Sequence, residues 1–156
     1  MTEFTKHEQQ QIRDGLKTSH RVLIDPQPPS KPFQLFGERS GDYFVENRTK
    51  SHHLVGQWRG RPPHKPGDRI PCDNGDVIVG DVWAQRVGEM TDIDAIAEGF
   101  PGVNCYMVQG FSKLCSHDGE LPIEQFADHW NERNPSNPFG SNPWVWVLTL
   151  SWEASE

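Results

Sequence analysis

WVWVLTLSW, residues 144–152, carries the clearest periodicity in the chain. Trp144, Trp146, Leu148, Leu150 and Trp152 fall at every second position, the spacing at which side chains of a β-strand share one face. Large rings at that period read as the core and lid of a sheet rather than as base-stacking platforms. A strand is therefore expected here, with its apolar face turned inward.

The segments upstream divide around this strand. NPSNPFGSNP (134–143) is a turn-rich stop, and before it Pro122 opens a helix on which Ile123, Phe126, Ala127 and Trp130 form one stripe. Thr91 is placed to cap a short helix, DIDAIAEGF, with Asp92 and Asp94 in its first turn and Gly99 past its end. DVIVGDVWAQRV (76–87) reads as a strand with a bulge or close approach at Gly80, and residues 101–121 as a loop holding one strand at NCYMVQGF (104–111). FQLFGERSGDYFVEN (33–47) gives two short strands around a turn, RVLI (21–24) another, and residues 4–17 a polar helix ending near Gly15.

Strands outnumber helices, which predicts an α+β fold or a small barrel rather than a doubly wound sheet. The 14 Gly and 13 Pro imply short elements and long loops around a thin, aromatic-rich core. A chain of 156 residues amounts to one domain, with 1–14 as an N-terminal helix or arm and 151–156 as a tail. No run approaches the roughly 18 apolar residues of a membrane span, and the N-terminus lacks the apolar stretch of a secretory signal. Three cysteines without regular spacing suggest no disulfide framework. A soluble, cytoplasmic protein with no membrane partner is expected.

Charge is unevenly divided. Residues 1–69 hold 12 Lys and Arg against 8 Asp and Glu, whereas residues 70–156 hold 3 against 14. A basic front half suits a phosphate-bearing ligand, and solvated surface accounts for the same split equally well.

Few residues are candidates for chemistry. Lys17, Thr18, Ser19, His20 and Arg21 put an amine, two hydroxyls, an imidazole and a guanidinium into five positions. Such a set fits an anion site, a lysine nucleophile beside a base, or simply a polar helix exit. Glu98 lies at the C-terminal end of its helix, where the dipole disfavours a carboxylate, so it calls for a cationic partner or a catalytic task. The basic segment 48–69 includes Arg59, Arg61 and Arg69 and one aromatic, Trp58, as a phosphate-tracking groove or a solvated loop would. No metal is expected: adjacent His52 and His53 would point to opposite faces of a strand, and Cys105, Cys115 and His117 lack a Cys-x-x-Cys pair. Nucleophile-elbow, dinucleotide and Walker-type motifs are absent, and no cofactor is expected.

Six segments in order, GLKTSHRV (15–22), PQPPSKP (26–32), KPGDRI (65–70), DIDAIAEGF (92–100), FADHWNERN (126–134) and NPWVWVLTL (142–150), resemble bacteriophage and prophage proteins of the ASCH domain family. The resemblance spans Gly15 to Leu150 and implies a small PUA-like, mostly antiparallel β-barrel with short flanking helices. It implies a cleft for a nucleoside, nucleotide or RNA element, in the host cytoplasm if the protein is phage-encoded. Arg21, Arg69 and either Arg59 or Arg61 would hold phosphate or base edges, and Trp58 or Trp83 would stack.

Bacterial relatives of that family include amidohydrolases that deacetylate N4-acetylcytidine with a Lys, a Thr three residues on, and a Glu. Lys17 and Glu98 match the first and last, and the Thr position falls on His20. The resemblance thereby also implies a deacylase with Lys17 as nucleophile, His20 as its activator and Glu98 as proton donor. In that reading His20 would titrate near the usual imidazole value of about 6.5. A third expectation is a phage regulatory protein that presents its acidic half to a host protein.

Overall fold

The computed structural model describes residues 3–28, 35–37, 43–48, 54–108 and 112–155, with side chains outside the description for 35–37, 43–48, 54–59, 104–108 and 112–118. The chain opens with helix α1 (Lys6–Arg13), capped reciprocally: the Thr5 hydroxyl accepts from the Glu8 N–H and the Glu8 carboxylate accepts from the Thr5 N–H. Strand β1 (Ser19–Leu23) follows, then β2 (Leu35–Gly37), β3 (Tyr43–Arg48), β4 (Leu54–Gly60), β5 (Arg69–Cys72) and the long β6 (Gly75–Arg86). Helix α2 (Asp92–Ala97), strands β7 (Val103–Val108) and β8 (Ser112–Glu120), helix α3 (Pro122–Arg133) and strand β9 (Trp144–Ala154) complete the order.

This is a mixed α and β architecture in which every strand pair is antiparallel. The main sheet runs β1-β9-β6-β5, beside a β2-β3-β4 sheet and a β7-β8 hairpin. The main antiparallel sheet curls into a half-barrel rather than a closed ring. Among the described residues no helix is long and apolar enough to cross a membrane.

Strand β9 lies between β1 and β6, and this sets its burial. The alternation in 144–152 suggested one apolar face, yet Val145, Val147, Leu148 and Leu150 are all buried. Leu148 and Leu150 join Phe4, Ile12, Ile70, Val77 and Val79 in one core. Val145 and Val147 join Val87, Met90, Ala95, Phe126 and Trp130 in a second. A central strand covered on both sides reads as a continuous apolar run, which the intervening valines supply. It also continues through Ala154, paired with Gly75, so most of the expected tail 151–156 is strand.

The bulge expected at Gly80 is present. The register between β6 and β9 shifts between Val79 and Val82, and the Asp81 N–H donates to the Thr149 hydroxyl at 2.6 Å. A Cβ on Gly80 would stand 2.5 Å from that same oxygen, so only glycine fits without displacement. Thr91 caps α2 by accepting from the Asp94 N–H, and Pro122 opens α3. The stripe on α3 buries Phe126 and Trp130 in the second core.

Candidate functional site

Glu98 is the residue on which the site is built. It caps the C-terminal end of α2, and its side chain is 3% exposed. The sequence argument asked for a cationic partner there, and the structure supplies two. The Arg21 guanidinium donates to Oε2 at 2.9 Å, and Lys17 Nζ stands 3.7 Å from Oε1. The Ser19 hydroxyl also donates to Oε2 at 3.0 Å, and the Arg21 N–H to Oε1 at 3.3 Å.

The local fold forces this meeting. The Thr18 N–H donates to the Ala97 carbonyl, the Lys17 N–H to the Gln11 carbonyl, and the Leu150 N–H to the Thr18 carbonyl. Those bonds tie the entry of β1 to the ends of α1 and α2 and to β9. Gly99 turns the chain after Glu98 at φ +101°, where a side chain would also press on the Gln11 amide. Lys17 Nζ then donates to the carbonyls of Ser19 and Glu98, both at 3.0 Å. Arg21 extends its second terminal nitrogen to Gln85 of β6 at 3.0 Å.

A cavity of about 440 Å³ opens beside this cluster, walled by α1, β1, the Glu98–Phe100 turn and α3. Its size is within the usual range of small-molecule sites. Lys17, His20, Arg21 and Glu98, all singled out in the sequence, line it together. Phe100, Phe126 and Trp130 give it an aromatic wall.

His20 differs from expectation. Burial, and next the Lys17 charge, push its pKa down to about 3, so at neutral pH it is an uncharged imidazole. Its ring packs edge-on against Phe4 at 5.1 Å. Its buried Nδ1 has no hydrogen-bond partner, nor has the buried Nε of Arg21. Both atoms are sealed from solvent, so leaving them unpartnered costs free energy. His129 of α3 is likewise held below the usual imidazole value, first by burial and then by Arg133.

The remaining predicted residues lie elsewhere. Arg69 is exposed on β5 and is paired with Glu153 at 3.0 Å and Asp76 at 3.5 Å, with Glu153 chiefly holding its pKa up. Trp83 is partly exposed on β6, and neither it nor the exposed Arg61 lines the cavity. Arg69 and Arg61 are thus corrected as parts of the same cleft, whereas Trp83 shares a cross-strand row with Val147 and Arg21 and stands outside the cavity lining. The side chains of Trp58 and Arg59, on β4, fall outside the described residues, as do those of Cys105, Cys115 and His117; His52 and His53 are outside altogether. Among the described residues no three His, Cys, Asp or Glu gather as metal ligands.

Sequence reasoning named Ser19 among the polar five without assigning it to Glu98, and missed Gln85 as a partner of the cluster and Glu8, Gln125, His129 and Arg133 in the cavity wall. A signal for the last three existed. They follow one another at intervals of four on α3, a second row beside the apolar stripe.

The arrangement is well made for holding a ligand. Lys17 directs its protons at oxygens already in place, which disfavours a free amine nucleophile. Glu98 accepts at both oxygens, while a neutral imidazole offers one donor and one acceptor. No protein-family model, curated protein or solved structure matches the chain.

Proposed function

We propose that the protein is an ASCH-type, PUA-like domain that binds a nucleoside, a nucleotide or a nucleotide element of RNA in the cavity between α1, β1 and α3. The observation that carries this reading is the buried Lys17–Glu98–Arg21 unit in the cavity wall, next to His20 and Arg21 atoms without partners. Rigid, mutually held charges beside unpartnered polar atoms are what a small polar ligand requires of its site. The Phe100, Phe126 and Trp130 wall offers apolar surface for a base or sugar. The six-segment resemblance points to the same ligand class, and three of its segments, 15–22, 92–100 and 126–134, contribute to the wall.

Deacylation of an N4-acetylcytidine-like nucleoside is the second reading, favoured by the 3.7 Å approach of Lys17 Nζ to Glu98. It requires Lys17 to release its carbonyl partners, and a neutral His20 to act without a titration near 6.5. Calorimetric titration with cytidine and N4-acetylcytidine, followed by chromatography of the mixtures, separates the two. Saturable binding without acetate release supports a binding domain. Acetate release that is lost in Lys17→Ala replaces it with the deacylase. Absence of both, for a folded protein, overturns the nucleoside reading.

A further inference from the structure

The polar groups of the cavity are out of balance, and the imbalance specifies the ligand further than its class. Three cations line the cavity, Lys17, Arg21 and Arg133, against two carboxylates, Glu8 and Glu98. Lys17, Arg21 and Glu98 are each 3% exposed at the side chain, so two buried cations share one buried carboxylate. Glu8, only 15% exposed, is the second carboxylate: it stands 3.9 Å from the half-exposed Arg133 guanidinium and also feels the Lys17 charge. A buried cation in excess costs free energy until an anion neutralises it.

Hydrogen-bonding capacity leans the same way. Arg21 Nε is a donor without an acceptor. Gln125 accepts the Gly102 N–H through its side-chain oxygen at 2.9 Å, which fixes the amide orientation and leaves its NH2 group unpaired. Arg133 adds further donors at the mouth, and its contact with Glu8 is too long for a hydrogen bond. Against these, both Glu98 oxygens already accept. The cavity thus has spare donors near its mouth and one cation more than it has carboxylates.

We propose that the ligand of this cavity carries a phosphate, which takes the spare donors of Gln125 and Arg133, so that a nucleoside monophosphate binds in preference to the bare nucleoside. The inference rests on the nucleoside reading above and narrows it. A phosphate brings several acceptor oxygens and the missing negative charge in one group, and guanidinium groups match it in geometry. After burial, Lys17 and Arg133 are the charges that lower the pKa of His20 and His129, so neither imidazole competes with an anion for those cations.

The test is calorimetric titration of the whole chain with cytidine, cytidine 5′-monophosphate and inorganic phosphate at low and moderate salt. The monophosphate is expected to bind at least about tenfold more tightly than cytidine, with the advantage shrinking as salt screens it. Gln125→Glu keeps an oxygen for the Gly102 N–H but turns the spare donor into a carboxylate, so the advantage should collapse. Arg133→Gln, on the half-exposed rim, should reduce it without the risk of a core change. Arg69→Ala, outside the cavity, should leave the ratio as it is.

Equal affinities for cytidine and its monophosphate would overturn the phosphate and spare the nucleoside reading. Inorganic phosphate binding as tightly as the monophosphate would keep the anion site and overturn the nucleoside. No binding of any of the three would overturn both.

Discussion

Arg21 and Glu98 are 77 positions apart in the chain and meet at 2.9 Å, each almost wholly buried. Their pairing joins the edge strand of the main sheet to the end of α2, and the cavity wall is the product of that joint. Glu98→Gln keeps the shape and removes the charge that Lys17 and Arg21 share. A loss of about 3–5 kcal/mol is expected, the usual cost of leaving a buried cation uncompensated. Urea unfolding monitored by tryptophan fluorescence measures it. A loss below 1 kcal/mol would show that Lys17 and Arg21 find other counter-charges.

The depressed pKa of His20 makes stability depend on pH in a definite direction. Its folded value is about 3 against an ordinary 6.5, so between those limits the unfolded chain binds more protons. Stability therefore rises with pH across that window and is lost as pH falls from 6.5 toward 3. His129 contributes in the same sense, and Glu8, held below its ordinary value of 4.5, adds to the loss only at lower pH. His20→Gln should flatten the slope of unfolding free energy between pH 6.5 and 4.5, leaving the His129 share. A slope unchanged by the substitution would place His20 in contact with water.

Gly80 and Thr149 form a coupled pair at the bulge. Gly80→Ala should cost about 1–3 kcal/mol by forcing the Thr149 hydroxyl away from the Asp81 N–H. In Thr149→Ala the extra methyl meets a smaller neighbour, so the double variant should lose less than the two singles combined. A thermal-melting cycle of the four proteins reads this directly, and additive losses would contradict the close approach.

Arg69 tests how far the site extends. Its partners, Asp76 and Glu153, lie on the same sheet and its side chain is about half exposed. Arg69→Ala should leave the melting temperature and the affinity for any cavity ligand unchanged, since exposed ion pairs contribute little. A drop in ligand affinity would extend the binding surface onto β5.

Much of this was readable in advance, and the reasons for the rest are physical. Thr91, Gly80, Gly99 and Pro122 announced their elements because capping, bulging and helix starts depend on local chemistry alone. Glu98 was conspicuous because it opposes its own helix dipole, and Lys17 and Arg21 because of their company. Whether they met was a question of tertiary geometry, answered by the Thr18–Ala97 bond that ties the entry of β1 to the end of α2. Val145 and Val147 look neutral to a two-residue period, so the second buried face of β9 emerged only once neighbours stood on both sides. Arg69 was grouped with the site by the resemblance, and β5 carries it to the far edge of the sheet from β1. His20 keeps its position but not its expected charge, because its pKa reflects burial and Lys17 rather than residue type.

The place of β9 also bears on how the chain is made. Strand β1 pairs with no other strand of its sheet, and both cores draw on side chains of β9. During synthesis the residues of β1 must wait for segment 144–154 before either core can close. Such distant pairings slow folding, because loop closure precedes the contacts that reward it. The first half of the molecule therefore emerges from the ribosome before the strand that joins β1 to β6 has been made.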